Sequence, residues 1–306
     1  MKLVTFSVKG IEKIGVLTDK GVLDLRKAHQ LCLSTGAPSW EEGEAVLSSM
    51  IDFLRQSETS IPSAKKALEF ASREAEEAFL PLSDVELKAP IPRPPKVICT
   101  GLNYRDHAME LGYDIPDAPA LFAKPPTTVI GPNEPIIRPK MSNALDYEVE
   151  LAIVIGKGGR DLSPEAAEDR IAGYTIFNDV TCRDIQRYDR ERSGQWFRSK
   201  AFDTFGPMGP CLVLKEQIPN PHTLPINLRV NGELRQSSNT SNMIFSVEQI
   251  VSFVSQVMTL EPGDVIPTGT PPGVGDSYKP EPKYLQPGDV VEAGITGIGR
   301  LTNPVE

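Results

Sequence analysis

Apolar and polar residues alternate over short stretches at the start of the chain. MKLVTFSV (1–8), IGVLTD (14–19) and GVLDLR (21–26) predict strands separated by turns. The spacing then becomes helical in WEEGEAVLSSMIDFLRQ (40–56) and SAKKALEFASREAEEAFL (63–80), which predict amphipathic helices. The stretch APIPRPPK (89–96) ends this region, because its prolines block continued helix and suit an extended bridge. A boundary near residue 90 divides the chain into a small accessory domain, 1–90, and a larger domain, 91–306.

Beyond the bridge the pattern turns strand-rich. KVICTGL, ELAIVIG, YTIFNDV, INLRVNG, DVIPTGT and DVVEAGI are short apolar or alternating runs bounded by Gly, Pro, Asn and Asp. Two related turns, EPGDV (261–265) and QPGDV (286–290), each launch a strand, and Pro-Gly at the centre suits a type II turn. Two helices interrupt. One starts at Ser163 as N-cap with Pro164 at its first position, the other at Ser246 with Gln249 three residues on. Many short strands with few helices predict an α+β chain whose larger domain is a β-rich barrel, roll or sandwich.

Composition narrows the partners. A formal net charge of −9 argues against nucleic acid, and no stretch approaches the roughly 20 apolar residues of a membrane span. The N-terminus lacks the apolar block of a signal peptide. Cys32, Cys99, Cys182 and Cys211 are far apart and form no CxxC pair, which predicts reduced thiols in a cytoplasmic protein. With three histidines in the chain, His29, His107 and His222, imidazole chemistry has few candidates.

The segment LDYEVELAIVIG (145–156) carries the sharpest chemical signal. Asp146, Glu148 and Glu150 alternate with apolar residues and run into five apolar residues in a row. A wet acidic face on an edge strand is one reading. The apolar run instead drives the strand inward, where clustered carboxylates need protonation or a cation. Glu148 and Glu150, two apart on one face, can reach one ion, and Asp179 at the end of YTIFNDV can supply a third oxygen. Carboxylates without nearby His or Cys suit Mg²⁺, Mn²⁺ or Ca²⁺, not zinc.

DYEVELAIVIGK, GYTIFNDVTCRDIQ, SKAFDTFGPMGP, RVNGELRQSSNTSNMIFS and GDVIPTGTPPGVG, in this order, strongly resemble the fumarylacetoacetate hydrolase family over roughly residues 95–302. The first 90 residues look like the smaller accessory domain of longer members. The resemblance implies a β-roll of mixed strands, a homodimer, a divalent metal and a small 2-oxo acid or β-dicarbonyl substrate. It also implies Glu148, Glu150 and Asp179 as metal ligands, matching the reading from burial cost.

GLNYRDHAMELG (101–112) places His107 and Glu110 three apart, so that on a helical turn the carboxylate can orient the imidazole. A polar pair on a surface helix would look the same. The resemblance implies instead a His-x-x-Glu dyad on a mobile lid, and Gly101 and Gly112 flank the segment as candidate hinges. It further implies Lys200 beside the reacting carbonyl, and Arg183 and Gln186 orienting the substrate carboxylate and an attacking water. Thr270, in a Gly/Pro loop able to hold a carboxylate, and Tyr104 are further substrate-binding candidates. The implied reaction is C–C cleavage through an enolate, as acylpyruvate hydrolysis or oxaloacetate decarboxylation. Keto–enol tautomerisation, isomerisation of a 2-hydroxydienedioate, and a non-catalytic metal-binding protein are the alternatives.

Overall fold

A computed structural model describes residues 1–35 and 44–306. Three strands open the chain as a meander: β1 (Lys2–Val8), β2 (Ile11–Thr18) and β3 (Gly21–Asp24). GVLDLR keeps its strand only to Asp24. The Asp24 carboxylate accepts the Lys27 N–H at 3.1 Å and starts helix α1 (Leu25–Thr35), which the alternating pattern did not announce. In the helix predicted over 40–56, residues 40–43 lie outside the described residues. The remainder forms a 3₁₀ turn and α2 (Met50–Arg55), where Ser49 caps the Asp52 N–H. The second predicted helix is α3 (Ser57–Glu74), and the short strands β4 (Phe79–Leu80) and β5 (Glu86–Leu87) return to β3 and β1.

The second part of the chain begins with β6 (Val97–Gly101), α4 (Arg105–Leu111), β7 (Ala120–Lys124) and β8 (Val129–Ile130). The acidic stretch spans β9 (Leu145–Asp146) and β10 (Val149–Ile155), followed by α5 (Pro164–Glu168) and β11 (Ile171–Asn178). Next come β12 (Thr181–Cys182), α6 (Arg183–Ser193), α7 (Phe197–Lys200) and β13 (Gly206–Leu214). The remainder is β14 (Pro225–Val230), β15 (Glu233–Asn239), α8 (Val247–Val257), β16 (Val265–Pro267), β17 (Val290–Ile295) and β18 (Gly299–Pro304).

One 12-stranded mixed sheet runs in the order β4-β3-β2-β1-β13-β11-β10-β16-β6-β7, with β5 on β1 and β8 on β13. Pairing of β1 with β13 makes the first 90 residues part of the same sheet as the rest. A second sheet, β15-β14-β17-β18, and the pair β12-β9 complete the α+β architecture. Both PGDV turns carry the hydrogen bond of a type II turn, with Gly263 and Gly288 at φ 91° and 96°. Helices α5 and α8 start at Ser163 and Ser246, and the latter forms a full capping box with Gln249. Strands β10 and β11 lie at the centre and every residue of both is buried. No described helix is long and apolar enough to cross a membrane.

Candidate metal centre and its cavity

The carboxylates are brought together by strand register. Val149 pairs with Asn178 across β10 and β11, and one step outward Asp179 donates its N–H to the Glu148 carbonyl at 2.9 Å. Glu150 lies one residue inside β10. One ligand oxygen from each of Glu148, Glu150 and Asp179 falls within 4.8 Å of the others, and all three residues are buried. The sequence pattern predicts one strand from Asp146 to Ile155, but it breaks at residues 147–148. Side chains take the amides there: Glu148 N–H donates to Asn178 Oδ1 at 2.9 Å and Val149 N–H to Gln236 Oε1 at 3.0 Å. The break separates Asp146 from the cluster, where it accepts Arg183 Nε at 2.7 Å.

Three buried cations surround the acids. Lys200 Nζ donates to Glu148 Oε2 at 2.9 Å, Asp179 Oδ2 at 2.5 Å and Thr181 Oγ1 at 2.8 Å. Lys124 Nζ grips the other Asp179 oxygen at 2.5 Å, and Arg183 Nη2 donates to Glu148 Oε1 at 2.7 Å. Burial alone would raise the Glu148 carboxyl, but Lys200 and Arg183 hold it at about 2. Glu150 has no ion-pair partner among the described residues. Burial, Asp179 and Glu148 push it well above the usual carboxylate range, against the Lys200 charge and one backbone bond from Gly269 at 2.7 Å. An all-oxygen set with one carboxyl resisting ionisation fits a hard divalent ion, and Glu148, Glu150 and Asp179 are the residues that would hold it.

The Gly/Pro loop after β16 lies along this acidic stretch. Thr268 Oγ1 donates to the Leu151 carbonyl and Thr270 Oγ1 to that of Val149, at 2.8 and 2.9 Å. Its amides hold carboxylates, as the sequence suggested, but the protein's own. Gly269 serves Glu150, Gly275 and Asp276 serve Asp146, and Gly273 serves Glu110. Glycine is required at 275, where a Cβ would stand 2.4 Å from the Lys283 carbonyl and 2.6 Å from Asp146 Oδ1.

His107 and Glu110 sit on α4, closed by Gly112 in the left-handed region. His107 Nδ1 lies 3.0 Å from Glu110 Oε2, and Ser277 Oγ donates to Glu110 Oε1 at 2.8 Å. Burial would raise Glu110, but His107 and Ser277 hold it below its usual range. An ionised carboxylate only accepts, so Nδ1 carries a proton and, in the neutral ring, Nε2 has the lone pair. Asp106 anchors the same helix through Ser238 Oγ and Asn242 Nδ2, at 2.6 and 3.0 Å.

A cavity of about 350 Å³ lies between the acid cluster and His107, and Glu110 stands outside its lining. His107, Glu148, Glu150, Asp179, Lys200, Arg183, Gln186 and Thr270 all border it. Arg183 also donates to Gln186 Oε1 at 3.0 Å, and the Thr270 hydroxyl accepts Gln236 Nε2 at 2.8 Å, so protein contacts already position these candidates. Tyr104 does not border the cavity: it is fully buried, its hydroxyl lacks a partner among the described residues, and its ring belongs to the core. Sequence reasoning passed over Lys124 and Phe122. Phe122 and Trp196 meet edge to face with centroids 5.5 Å apart and form an apolar wall. No pattern marked Lys124, since an isolated lysine reads as a surface group.

Residues 96–306 match the fumarylacetoacetate (FAA) hydrolase C-terminal family. The chain is 43% identical over 297 residues to oxaloacetate tautomerase YisK of Bacillus subtilis strain 168, covering 95% of this chain and 94% of that one. A solved fumarylacetoacetate hydrolase from Exiguobacterium antarcticum is 39% identical with a TM-score of 0.80, covering 100% and 99% of the two chains. A solved 2-hydroxyhepta-2,4-diene-1,7-dioate isomerase from Mycobacterium marinum is 45% identical with a TM-score of 0.64, over 74% and 79%. With the family match and these relatives spanning most or all of its length, the chain belongs to the fumarylacetoacetate hydrolase family.

Proposed function

We propose that this protein interconverts the keto and enol forms of a 2-oxo dicarboxylic acid of the oxaloacetate type, with Mg²⁺ or Mn²⁺ as cofactor. The observation that carries the reading is that the carboxylate triad and His107, held by Glu110 from behind, face one cavity. The activity in the name of the Bacillus relative supports it. A divalent ion held by Glu148, Glu150 and Asp179 would supply Lewis-acid polarisation of the 2-oxo group.

In this reading His107 Nε2 takes the proton from the carbon beside the 2-oxo group. Glu110 holds the imidazole and stabilises the charge it gains. Lys200 presents its ammonium on the metal side of the cavity, where negative charge on oxygen develops. That oxygen takes up a proton from water as His107 gives its proton up to water, which yields the enol with no net change in protons. The reverse path returns the proton to carbon from His107. Phe122 and Trp196 keep that side of the cavity apolar, which strengthens these charge interactions.

C–C cleavage is the second reading, because an imidazole held by a carboxylate can equally activate water against an acylpyruvate. The resemblance to the Exiguobacterium enzyme favours it. Metal-stripped protein, with and without Mn²⁺, would be given enol-oxaloacetate, with decay of the enol absorbance followed. Pyruvate formation would be followed in parallel from oxaloacetate and acetylpyruvate. Metal-dependent decay of the enol without pyruvate is expected. Pyruvate from acetylpyruvate alone would shift the assignment to hydrolysis, and no activity in any assay would overturn the enzymatic reading.

A further inference from the structure

The cations bordering the cavity are unequal. Lys200 is shared between Glu148 and Asp179, and Arg183 between Asp146 and Glu148. Arg187 faces Asp276 at 2.6 Å. Arg190, the next along the same face of α6, forms no ion pair among the described residues. Its Nη1 donates to Tyr113 Oη at 2.8 Å, and its guanidinium carbon lies 5.6 Å from the Tyr113 ring centroid. The neighbouring acids are engaged elsewhere, Asp189 by Arg198 and Glu191 by Arg192. A tyrosine orients a guanidinium without neutralising it.

Arg183, Arg187 and Arg190 stand at i, i+4 and i+7, so they share one face of the helix. From Arg183, which touches Glu148, to Arg190 the helix rises about 10 Å. The face therefore leads from the carboxylate cluster to a cation with no counter-ion among the described residues, and both ends border the cavity.

We propose that Arg190, oriented by Tyr113, is a specificity-determining residue that binds the distal carboxylate of a substrate whose 2-oxo acid end lies at the Glu148–Glu150–Asp179 cluster. This rests on the reading of the cavity as a 2-oxo acid site. Arg187 is less suited, because Asp276 and the Tyr284 hydroxyl already engage it. Arg190 retains N–H groups for a planar carboxylate, and the charge it would satisfy is its own.

The test uses ligands that differ only at the distal end. Calorimetry on Mn²⁺-loaded protein would compare 2-oxoglutarate with 2-oxopentanoate, equal in chain length but with methyl in place of the distal carboxylate. Wild type is expected to prefer the dioate by about tenfold or more, the scale of one charge-assisted hydrogen-bonded pair. In Arg190→Gln the affinity ratio should fall towards one, and Arg190→Lys should keep part of it. Arg190 is exposed, so neither substitution opens the core. An unchanged ratio in Arg190→Gln would overturn the assignment of Arg190 alone. Failure of the loaded protein to bind either ligand would overturn it together with the 2-oxo acid reading. No turnover is needed, so a failed tautomerase assay leaves this result interpretable.

Discussion

Lys124 holds Asp179 by its Oδ1 at 2.5 Å with neither side chain exposed to solvent. Lys200 takes the other oxygen of the same carboxylate. Replacing Lys124 with Met would leave Asp179 half-compensated in the core, and removing one partner of a buried pair costs about 3–5 kcal/mol. Lys124→Met should lose stability on that scale in chemical denaturation, whereas Lys20→Met, at the exposed pair with Glu76, should show no measurable change. Equal effects at the two positions would mean that Lys124 contributes no more than a surface charge.

Glu148 and Glu150 should respond to neutralisation with opposite signs. Glu148 compensates Arg183 and Lys200, so Glu148→Gln strands buried cations and destabilises the protein. Glu150 is pushed up by burial and by the neighbouring Asp179 and Glu148, so Glu150→Gln removes a repulsion. In chelator, Glu150→Gln should melt no lower than wild type and Glu148→Gln clearly lower. Both should lose the rise in melting temperature that Mn²⁺ gives the wild type. A Mn²⁺ response surviving in Glu150→Gln would remove Glu150 from the ligand set.

The acid cluster also fixes a pH dependence. A raised folded pKa at Glu150 contributes stability below the unfolded value and loses it as pH rises through the folded one. Metal-free protein should therefore lose this contribution towards alkaline pH, while Glu148, held at about 2, does not titrate in that window. A divalent ion must displace the Glu150 proton, so its affinity should rise with pH. Calorimetry in buffers of different ionisation enthalpy should find more protons released per ion at acid than at alkaline pH. Equal release throughout would place the Glu150 pKa in its ordinary range.

The signals legible in the sequence were those with a local period or a local cost. Five apolar residues after Glu150 announced a strand buried on both faces, and β10 is buried throughout. The Ser246–Gln249 pair announced the capping box of α8. What stayed hidden depends on partners far along the chain. The break at residues 147–148 exists because Asn178 and Gln236 take the amides of Glu148 and Val149, across 30 and 87 residues. Lys124 reaches Asp179 across 55 residues, with no spacing rule to mark it. Tyr104 sat in a motif near the candidate dyad, yet an aromatic ring beside chemistry was here a core residue.

Glu110 ties His107 to the Gly273–Ser277 segment, so substitutions at the two dyad positions should separate into two kinds. His107→Gln removes the proposed base, and general acid–base groups contribute about 10²–10⁴-fold. Its enol–keto rate should fall by that order with Mn²⁺ binding retained, because His107 is not one of the three acids that would hold the ion. Glu110→Gln keeps the imidazole but frees its tautomer and replaces a charged acceptor with a neutral one. Its rate should fall less, because the imidazole stays in place and only its orientation and the support of the charge it gains are weakened. Ser277→Ala removes one support of Glu110 and should lower the rate by less still. A Glu110→Gln rate equal to that of wild type would remove Glu110 from the dyad.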